Sequence, residues 1–215
     1  MGLIYSSGLD EHGVNVLYSY ADASFGDERP IECSYTMMNG AILKSKVGKS
    51  KTMSDSTAKA EAKAALEAAH DVVSMRDLIQ ELGFVYEEPT LLYQDNQAAI
   101  SLANRKVTGG GGCTKNRHDL VKLAKLSSYI CDDVIQTTYC RTIKMIADLG
   151  NKFHGVRRFE LLRDYMNGYA LVRAKDDGYV LPTNVIRFEN YQVQNRLADK
   201  NKDPAKHKDK KKKTE

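Results

Sequence analysis

One uninterrupted helical run constrains the fold of this chain more than any other part of its sequence. Residues 57–82, TAKAEAKAALEAAHDVVSMRDLIQEL, contain neither glycine nor proline and are rich in strong helix formers. Ser54, Asp55 and Ser56 precede the run as candidate N-caps, and Gly83 follows it as a C′ residue. Its apolar residues recur at three- and four-residue spacing: Ala65, Ala69, Val72, Met75, Ile79 and Leu82. The sequence therefore predicts a long amphipathic helix with one sheet-facing side.

Strand patterns lie on both sides of this helix. The predicted strands are residues 14–20, 31–38, 41–46, 90–95 and 134–140. The other helical patterns are residues 96–105, 120–130 and 157–166. Asn39-Gly40 is a hairpin-turn signal between the second and third strands. The order β-β-β-α-β-α-α-β-α predicts an α/β fold, a mixed sheet with helices on its faces.

The C-terminal part of the chain has a different composition. Residues 168–188 read as a small β-hairpin, and residues 196–215 lack large apolar side chains and are expected to be disordered. This tail has nine Lys/Arg and four Asp/Glu, so the whole chain's charge of +4 leaves the body nearly neutral. The run KHKDKKKK, residues 206–213, fits a nuclear-localisation segment, a nonspecific phosphate binder or a solvated terminus, and the sequence leaves these open.

The sequence lacks the features of membrane-spanning, secreted and zinc-binding proteins. No stretch approaches the ~20 apolar residues of a membrane span, and the N-terminus lacks the basic and apolar regions of a secretion signal. The four cysteines fit no C-x-x-C pair or zinc spacing, so free thiols in a reducing compartment are expected: Cys33, Cys113, Cys131 and Cys140. We therefore expect a cytoplasmic or nuclear protein with no membrane partner.

Four acidic residues fall at special points of this layout. Asp22 lies at or near the end of the first strand, and Asp95 ends the fourth. Asp148 lies near the start of the helix that follows the fifth strand. Glu61 lies about 40° around the long helix from Ala65, so it points to the sheet and needs a partner.

A shared divalent cation is one solution for these carboxylates. Clustered acids repel each other and raise each other's pKa, whereas Mg²⁺ prefers carboxylates, waters and phosphate oxygens. Two such ions ~4 Å apart can activate a water and stabilise the leaving oxygen of a phosphodiester. Each acid also has an ordinary interpretation as a turn, cap or rim residue. Spacing alone does not bring the four together, and only the order of elements makes the cluster plausible.

Four segments in order resemble the ribonuclease H domain of copia-type and yeast Ty-type retrotransposon polyproteins. They are ADASFGD (21–27), STAKAEAKAALEAAHDVVSMRDLIQELGF (56–84), LLYQDNQAAISLANRK (91–106) and IADLGNK (146–152). GLIYSSG near the start resembles the segment that joins the reverse transcriptase to this domain. The resemblance covers residues 2 to 165 and implies a ribonuclease H-like mixed five-stranded sheet.

The resemblance also implies an activity and a site. It implies cleavage of the RNA strand of RNA–DNA hybrids with two Mg²⁺ ions, for which Mn²⁺ could substitute. Its catalytic and metal-binding acids fall on Asp22, Glu61, Asp95 and Asp148. Weaker substrate-contact candidates are Ser24, Ser56, Asn96, Gln97, Lys115, His118 and Lys152. A reverse transcriptase domain supplied by another chain is a candidate partner.

The resemblance divides the chain into four parts. They are a junction remnant (1–13), a ribonuclease H-like domain (14–155), a C-terminal helix and hairpin extension (156–195) and a Lys-rich tail (196–215). This sequence departs from the family at Tyr20, which replaces a frequent Asp, at Lys59, which replaces a frequent Glu, and in the Gly109–Gly112 loop with Cys113. Leu149-Gly150-Asn151 also replaces the usual residues before Lys152.

Two functions stay open at this stage. The four acids favour an active ribonuclease H. The altered loop and the missing polymerase half favour a catalytically silent domain that binds a hybrid or a protein partner. A weaker third interpretation makes residues 168–195 a protein-interaction appendage.

Overall fold

The chain forms five strands and a set of helices that lie on both faces of one sheet. The computed structural model describes residue 3 and residues 16–25, 29–83, 88–105 and 117–168. The strands are β1 (Leu17–Ser24), β2 (Ile31–Met38), β3 (Ala41–Lys49), β4 (Thr90–Gln94) and β5 (Ile135–Tyr139). The α-helices of these ranges are α1 (Thr57–Glu81), α2 (Gln97–Ala103), α3 (Arg117–Cys131), α4 (Asp148–Asn151) and α5 (Val156–Met166). A 3-10 turn, Thr142–Lys144, precedes α4.

The sheet has the strand order β3-β2-β1-β4-β5. The first three strands form an antiparallel meander, and β1, β4 and β5 run parallel to one another. The crossover helices α1, α2 and α3 pack on one face of the sheet, and α4 and α5, which follow the last strand, cover the other. The predicted mixed five-stranded sheet with helices on its faces is confirmed.

The long helix begins and ends as its flanking residues predict. The Ser56 hydroxyl accepts a hydrogen bond from the Lys59 amide, and Gly83 has a φ of +89° directly after the helix. Positive φ is inexpensive only for glycine, so Gly83 stops the helix there. The predicted apolar stripe is buried at Ala65, Ala69, Val72 and Ile79. Leu82 was assigned wrongly to that stripe, because α1 ends at Glu81 and the Leu82 side chain is exposed.

The first strand runs further than the sequence pattern indicates. The pattern predicts residues 14–20, but the ladder with β2 continues to the pair Ser24–Ile31. Asn39 and Gly40 both have positive φ and form the predicted turn between β2 and β3. Pairing with β2 keeps the chain extended past Tyr20, so Asp22 lies inside the strand and not after it.

Successive residues of β1 face two different cores. Leu17, Ala21 and Ala23 pack against the alanine-rich side of α1. Tyr18 and Tyr20 face the other way, into a cluster that includes Tyr93 of β4 and the residues leading into α4. Asp22 shares the alternation of these tyrosines, so it belongs to the face covered by α4 and α5.

Several predictions from sequence concern residues outside the described ranges. They are the junction remnant 1–13 apart from residue 3, the loop 109–112 with Cys113 and Lys115, most of the 168–188 hairpin and the tail 196–215. The described cysteines are free thiols, as predicted: Cys33, Cys131 and Cys140. Within the described ranges, no helix is both long enough and apolar enough to cross a membrane.

Gly150 of α4 lies in close contact with side chains of β2 and β3. A Cβ at this position would overlap the Cys33 Sγ and lie 2.7 Å from the Val47 Cγ2. We expect Gly150→Ala to lower the free energy of unfolding by about 1–3 kcal/mol, because the side chains of β2 and β3 must shift to accept it. Urea denaturation would measure the loss. Gly48→Ala is the control, because its Cβ would meet no atom within 4 Å. Equal stability of the two variants would contradict the predicted overlap.

Candidate metal centre and active site

Two of the predicted acids meet at the carboxyl-terminal edge of neighbouring parallel strands. Tyr20 of β1 lies opposite Tyr93 of β4, so the same register carried two residues further places Asp22 beside Asp95. Asp22 is fully buried within β1, while Asp95 directly follows β4 and is only partly buried. Parallel pairing therefore brings together two carboxylates that lie far apart in sequence.

Asp148 reaches the same strand edge from α4, which packs on the tyrosine layer formed by Tyr20 and Tyr93. The rings of Tyr20 and Tyr93 are stacked with centroids 5.0 Å apart. Met145, Ile146 and Ala147 are buried in the same cluster, and Asp148 follows them as the first residue of α4. Packing of this short apolar segment on the aromatic face therefore delivers the third carboxylate to the strand edge. Tyr20 is a core residue here and only 1% exposed.

The three aspartates can offer one oxygen each to a common ion. One carboxylate oxygen of each residue lies within 4.8 Å of the others. The Oδ1 of Asp22 is buried and has no hydrogen-bond partner among the described residues. A buried carboxylate oxygen without a partner is costly, and a hard cation with oxygen ligands would satisfy it. The donor set therefore fits Mg²⁺ or a similar divalent cation.

Glu61 lies beside this group but is not part of it. Its Oε2 accepts a hydrogen bond of 3.1 Å from the backbone amide of Ala23, which fixes the side chain against β1. The side chain is only 4% exposed, as expected for the sheet-facing side of α1. Burial, followed by the charges of Asp22 and Asp95, raises the pKa of Glu61 to about 9. At neutral pH and without a metal ion, Glu61 is therefore a neutral acid.

Lysine and arginine side chains offset much of the negative charge of the cluster. The Lys152 ammonium lies 2.9 Å from Asp22 and 2.5 Å from Asp148. Arg158 of α5 contacts the other oxygen of Asp148 at 2.7 Å, and the Asn151 amide donates to Asp22. Three carboxylates and two cations leave an excess of one negative charge, which still attracts a cation.

Burial and these contacts shift the pKa values of Asp148 and Lys152. Burial raises the pKa of Asp148, and its hydrogen bond and ion pair with Lys152 offset that only in part. Partial burial lowers the pKa of Lys152, but its bonds to Asp148 and Asp22 outweigh this and leave the pKa above its ordinary value. Lys152 is therefore a permanent positive charge at any physiological pH.

An open cavity of about 650 Å³ lies beside the acids. Its lining residues are Ala23, Ser24, Phe25, Thr57, Glu61, Asp95, Asn96, Gln97, Ala98 and Lys152. Four of the predicted substrate-contact residues, Ser24, Asn96, Gln97 and Lys152, are thus placed at the cavity. Asn96 also caps α2, because its Oδ1 accepts from the amides of Ala98 and Ala99. Its amide nitrogen is the group that can still donate to a ligand.

The remaining predicted contact residues are placed elsewhere or cannot be located. Ser56 is the N-cap of α1 and does not line the cavity, although its neighbour Thr57 does. His118 is exposed on the first turn of α3 and is also absent from the lining. Lys115 lies outside the described residues. The proposed role of these three residues in substrate contact stays a prediction.

Sequence reasoning missed the groups that hold the acids in place. The Thr142 hydroxyl donates to Asp95 at 2.8 Å, and the Gln94 amide donates to the backbone carbonyl of Glu61. Arg158 was not singled out, because it was assigned to a separate extension. Gln94 was adjacent to a marked acid in the motif YQDN, which was an available signal. No local pattern marks Thr142 or Arg158, because their partners come from other elements.

Comparison with known proteins found similar solved structures but no matching family model. No protein-family model matches the chain. LC11-RNase H1 in complex with an RNA/DNA hybrid is similar at a TM-score of 0.47 and 13% identity, over 63% of this chain and 93% of that one. LC11-RNase H1 isolated from compost by a metagenomic approach is similar at 0.44 and 14%, over 62% and 90%. The N-terminal RNase H domain of a Mycobacterium tuberculosis protein, fused to maltose-binding protein, is similar at 0.42 and 11%, over 74% and 97%.

Proposed function

We propose that this chain hydrolyses the RNA strand of RNA–DNA hybrids with divalent metal ions held by its clustered acids. The observation that carries the proposal is the meeting of Asp22, Asp95 and Asp148 at one strand edge, with one oxygen of each inside 4.8 Å. The edge opens into a cavity large enough for part of a nucleic-acid backbone. Asp22, Asp95 and Asp148 would hold the metal, with Glu61 as a further ligand that ionises when an ion binds.

The chemistry supplied by bound Mg²⁺ is activation of a water and neutralisation of charge on the scissile phosphate. This chain's residues orient that chemistry. Asn151 and Thr142 hold Asp22 and Asp95 by hydrogen bonds to one oxygen, which leaves the other oxygen for an ion. Lys152 lies at the rim of the cavity and between two acids, where its charge also favours a phosphate.

The substrate class follows from the motif resemblance and from the polar groups of the cavity. The four motifs resemble retrotransposon ribonuclease H domains, whose substrate is an RNA–DNA hybrid. The 2′-hydroxyl is the group that lets a site distinguish RNA from DNA. The uncharged polar side chains at the cavity that could bond it are those of Ser24, Thr57, Asn96 and Gln97. A reverse transcriptase domain on another chain is the proposed source of such hybrids.

We expect the purified chain to cut the RNA strand of a hybrid in Mg²⁺ and to leave 3′-hydroxyl and 5′-phosphate ends. Chelator should stop the reaction because the acids alone cannot activate water. Labelled hybrid, double-stranded DNA and double-stranded RNA, separated on denaturing gels, measure both cleavage and strand preference. Failure of folded protein to cut hybrid in either Mg²⁺ or Mn²⁺ would exclude the proposal.

A second candidate is a hybrid-binding domain without catalysis. The observation that favours it is the neutralisation of the cluster by Lys152 and Arg158, which weakens the attraction for a cation. Such a domain would bind hybrid without turnover and would gain no stability from Mg²⁺. The same samples therefore separate the two candidates when the melting temperature is measured with Mg²⁺ and with chelator.

A further inference from the structure

Arg158, on the first turn of α5, contacts two segments of the site at once. Its Nη2 donates to Oδ2 of Asp148 at 2.7 Å and to the backbone carbonyl of Thr142 at 2.9 Å. The hydroxyl of Thr142 in turn donates to Oδ2 of Asp95 at 2.8 Å. One guanidinium group therefore connects the segments that position two of the three clustered carboxylates.

The rest of α5 holds Arg158 in this place. Leu162 is fully buried and Tyr165 is 4% exposed, with Tyr165 in the same aromatic cluster as Tyr20 and Tyr93. The Nε of Arg158 is buried without a hydrogen-bond partner among the described residues. An unpaired buried donor costs free energy, so the contacts with Asp148 and Thr142 must offset that cost.

We propose that Arg158 is a positioning residue that holds Asp148, and through Thr142 also Asp95, in the orientation needed to share a metal ion. This inference rests on the proposed function, and it makes α5 part of the active site instead of a C-terminal extension. Arg158 takes Oδ2 of Asp148 and leaves Oδ1 to Lys152. A planar guanidinium with several donors suits this double contact better than an ammonium.

A positioning role and a simple counter-charge predict opposite effects on metal binding. If Arg158 acted only through its charge, its removal would leave the cluster more negative and Mg²⁺ would bind more tightly. If Arg158 holds the carboxylates in place, its removal loosens them and Mg²⁺ binds more weakly. The sign of the change in metal binding therefore decides between the two.

The experiment compares Arg158→Gln with Arg157→Gln, which removes the same charge from an exposed neighbour. We expect Arg158→Gln to lose at least about half of the Mg²⁺-induced rise in melting temperature. We also expect kcat on a hybrid to fall about tenfold, with KM changed by less than about threefold, because misplaced ligands affect the chemical step more than binding. Arg157→Gln should match the parent protein in both measurements.

Two further variants keep the test decisive if Arg158→Gln does not fold. Arg158→Lys keeps the charge and should still weaken Mg²⁺ stabilisation. Thr142→Val removes only the exposed hydroxyl that bonds Asp95, and it should also weaken Mg²⁺ stabilisation. Stronger Mg²⁺ stabilisation in Arg158→Gln, or no change in either measurement, would overturn the inference. A parent protein that gains stability from Mg²⁺ but cuts no hybrid would reject the proposed function, while the Mg²⁺ comparison would still decide the role of Arg158.

Discussion

Asp22→Asn should abolish the Mg²⁺-dependent cleavage of an RNA–DNA hybrid while the chain stays folded. Asp22 contacts Lys152 and Asn151 through one oxygen, and its second oxygen is buried without a partner among the described residues. The amide offers a metal ion only one neutral oxygen in place of a charged carboxylate. We expect a rate loss of about 10³-fold, which corresponds to about 4 kcal/mol of lost transition-state stabilisation.

The matched control for this substitution is Asp71→Asn. Asp71 is also a buried aspartate, but it pairs with Lys44 at 2.7 Å on the far part of α1 and touches none of the clustered acids. Its replacement should leave cleavage within about twofold, because it removes a partly exposed ion pair outside the site. Circular dichroism would show that both variants fold, and gel assays would compare their rates. Full cleavage by Asp22→Asn would remove the central premise of the proposed site.

Glu61→Gln should flatten the pH dependence of stability in the metal-free protein. The pKa of Glu61 rises from 4.5 to about 9 on folding, mainly because the side chain is buried and secondarily because Asp22 and Asp95 are charged. Between these two values the folded chain holds a proton that the unfolded chain has released. The contribution of Glu61 to the free energy of unfolding is therefore fully present below pH ~4.5. It falls by about 1.4 kcal/mol for each pH unit between ~4.5 and ~9.

Urea denaturation in chelator at several pH values between 5 and 9 measures this slope. The variant should lose most of the slope and be more stable than the parent at the alkaline end, because an amide cannot ionise. Some slope should persist, because the pKa of Asp148 is also raised by burial. Glu81→Gln, at the exposed end of the same helix, should retain the parent slope. Identical slopes in the parent and Glu61→Gln would show that Glu61 is not held as a neutral acid.

The elements with strong local signals were predicted closely. The helix α1 follows from its glycine- and proline-free run and its caps, and the β2–β3 hairpin follows from Asn39-Gly40. Local signals failed where pairing with another strand decided the outcome. The extension of β1 through Asp22 is one case, because the ladder with β2 keeps those residues extended beyond the apolar pattern.

The residues of the site also fall into those that local signals mark and those that only long-range contacts place. Asp22, Asp95 and Asp148 could be marked from sequence because each carboxylate falls close to the start or end of a predicted element, and motif resemblance pointed to the same residues. The supporting groups could not be marked, because their contacts join distant parts of the chain. Asn151 and Asp22, for example, are 129 residues apart, and no periodicity in either segment predicts their hydrogen bond.

The sequence by itself determined which residues form the long helix and which side of it Glu61 occupies, and it marked three aspartates close to the boundaries of their elements. These properties depend on backbone preferences and on the periodicity of apolar residues, which act over a few neighbours. Only the tertiary structure decided that three aspartates share one space while Glu61 lies beside them, and that Lys152 and Arg158 supply the opposing charge. Those outcomes depend on strand register and on the packing of α4 and α5 against the tyrosine layer, which are set by contacts across the whole chain.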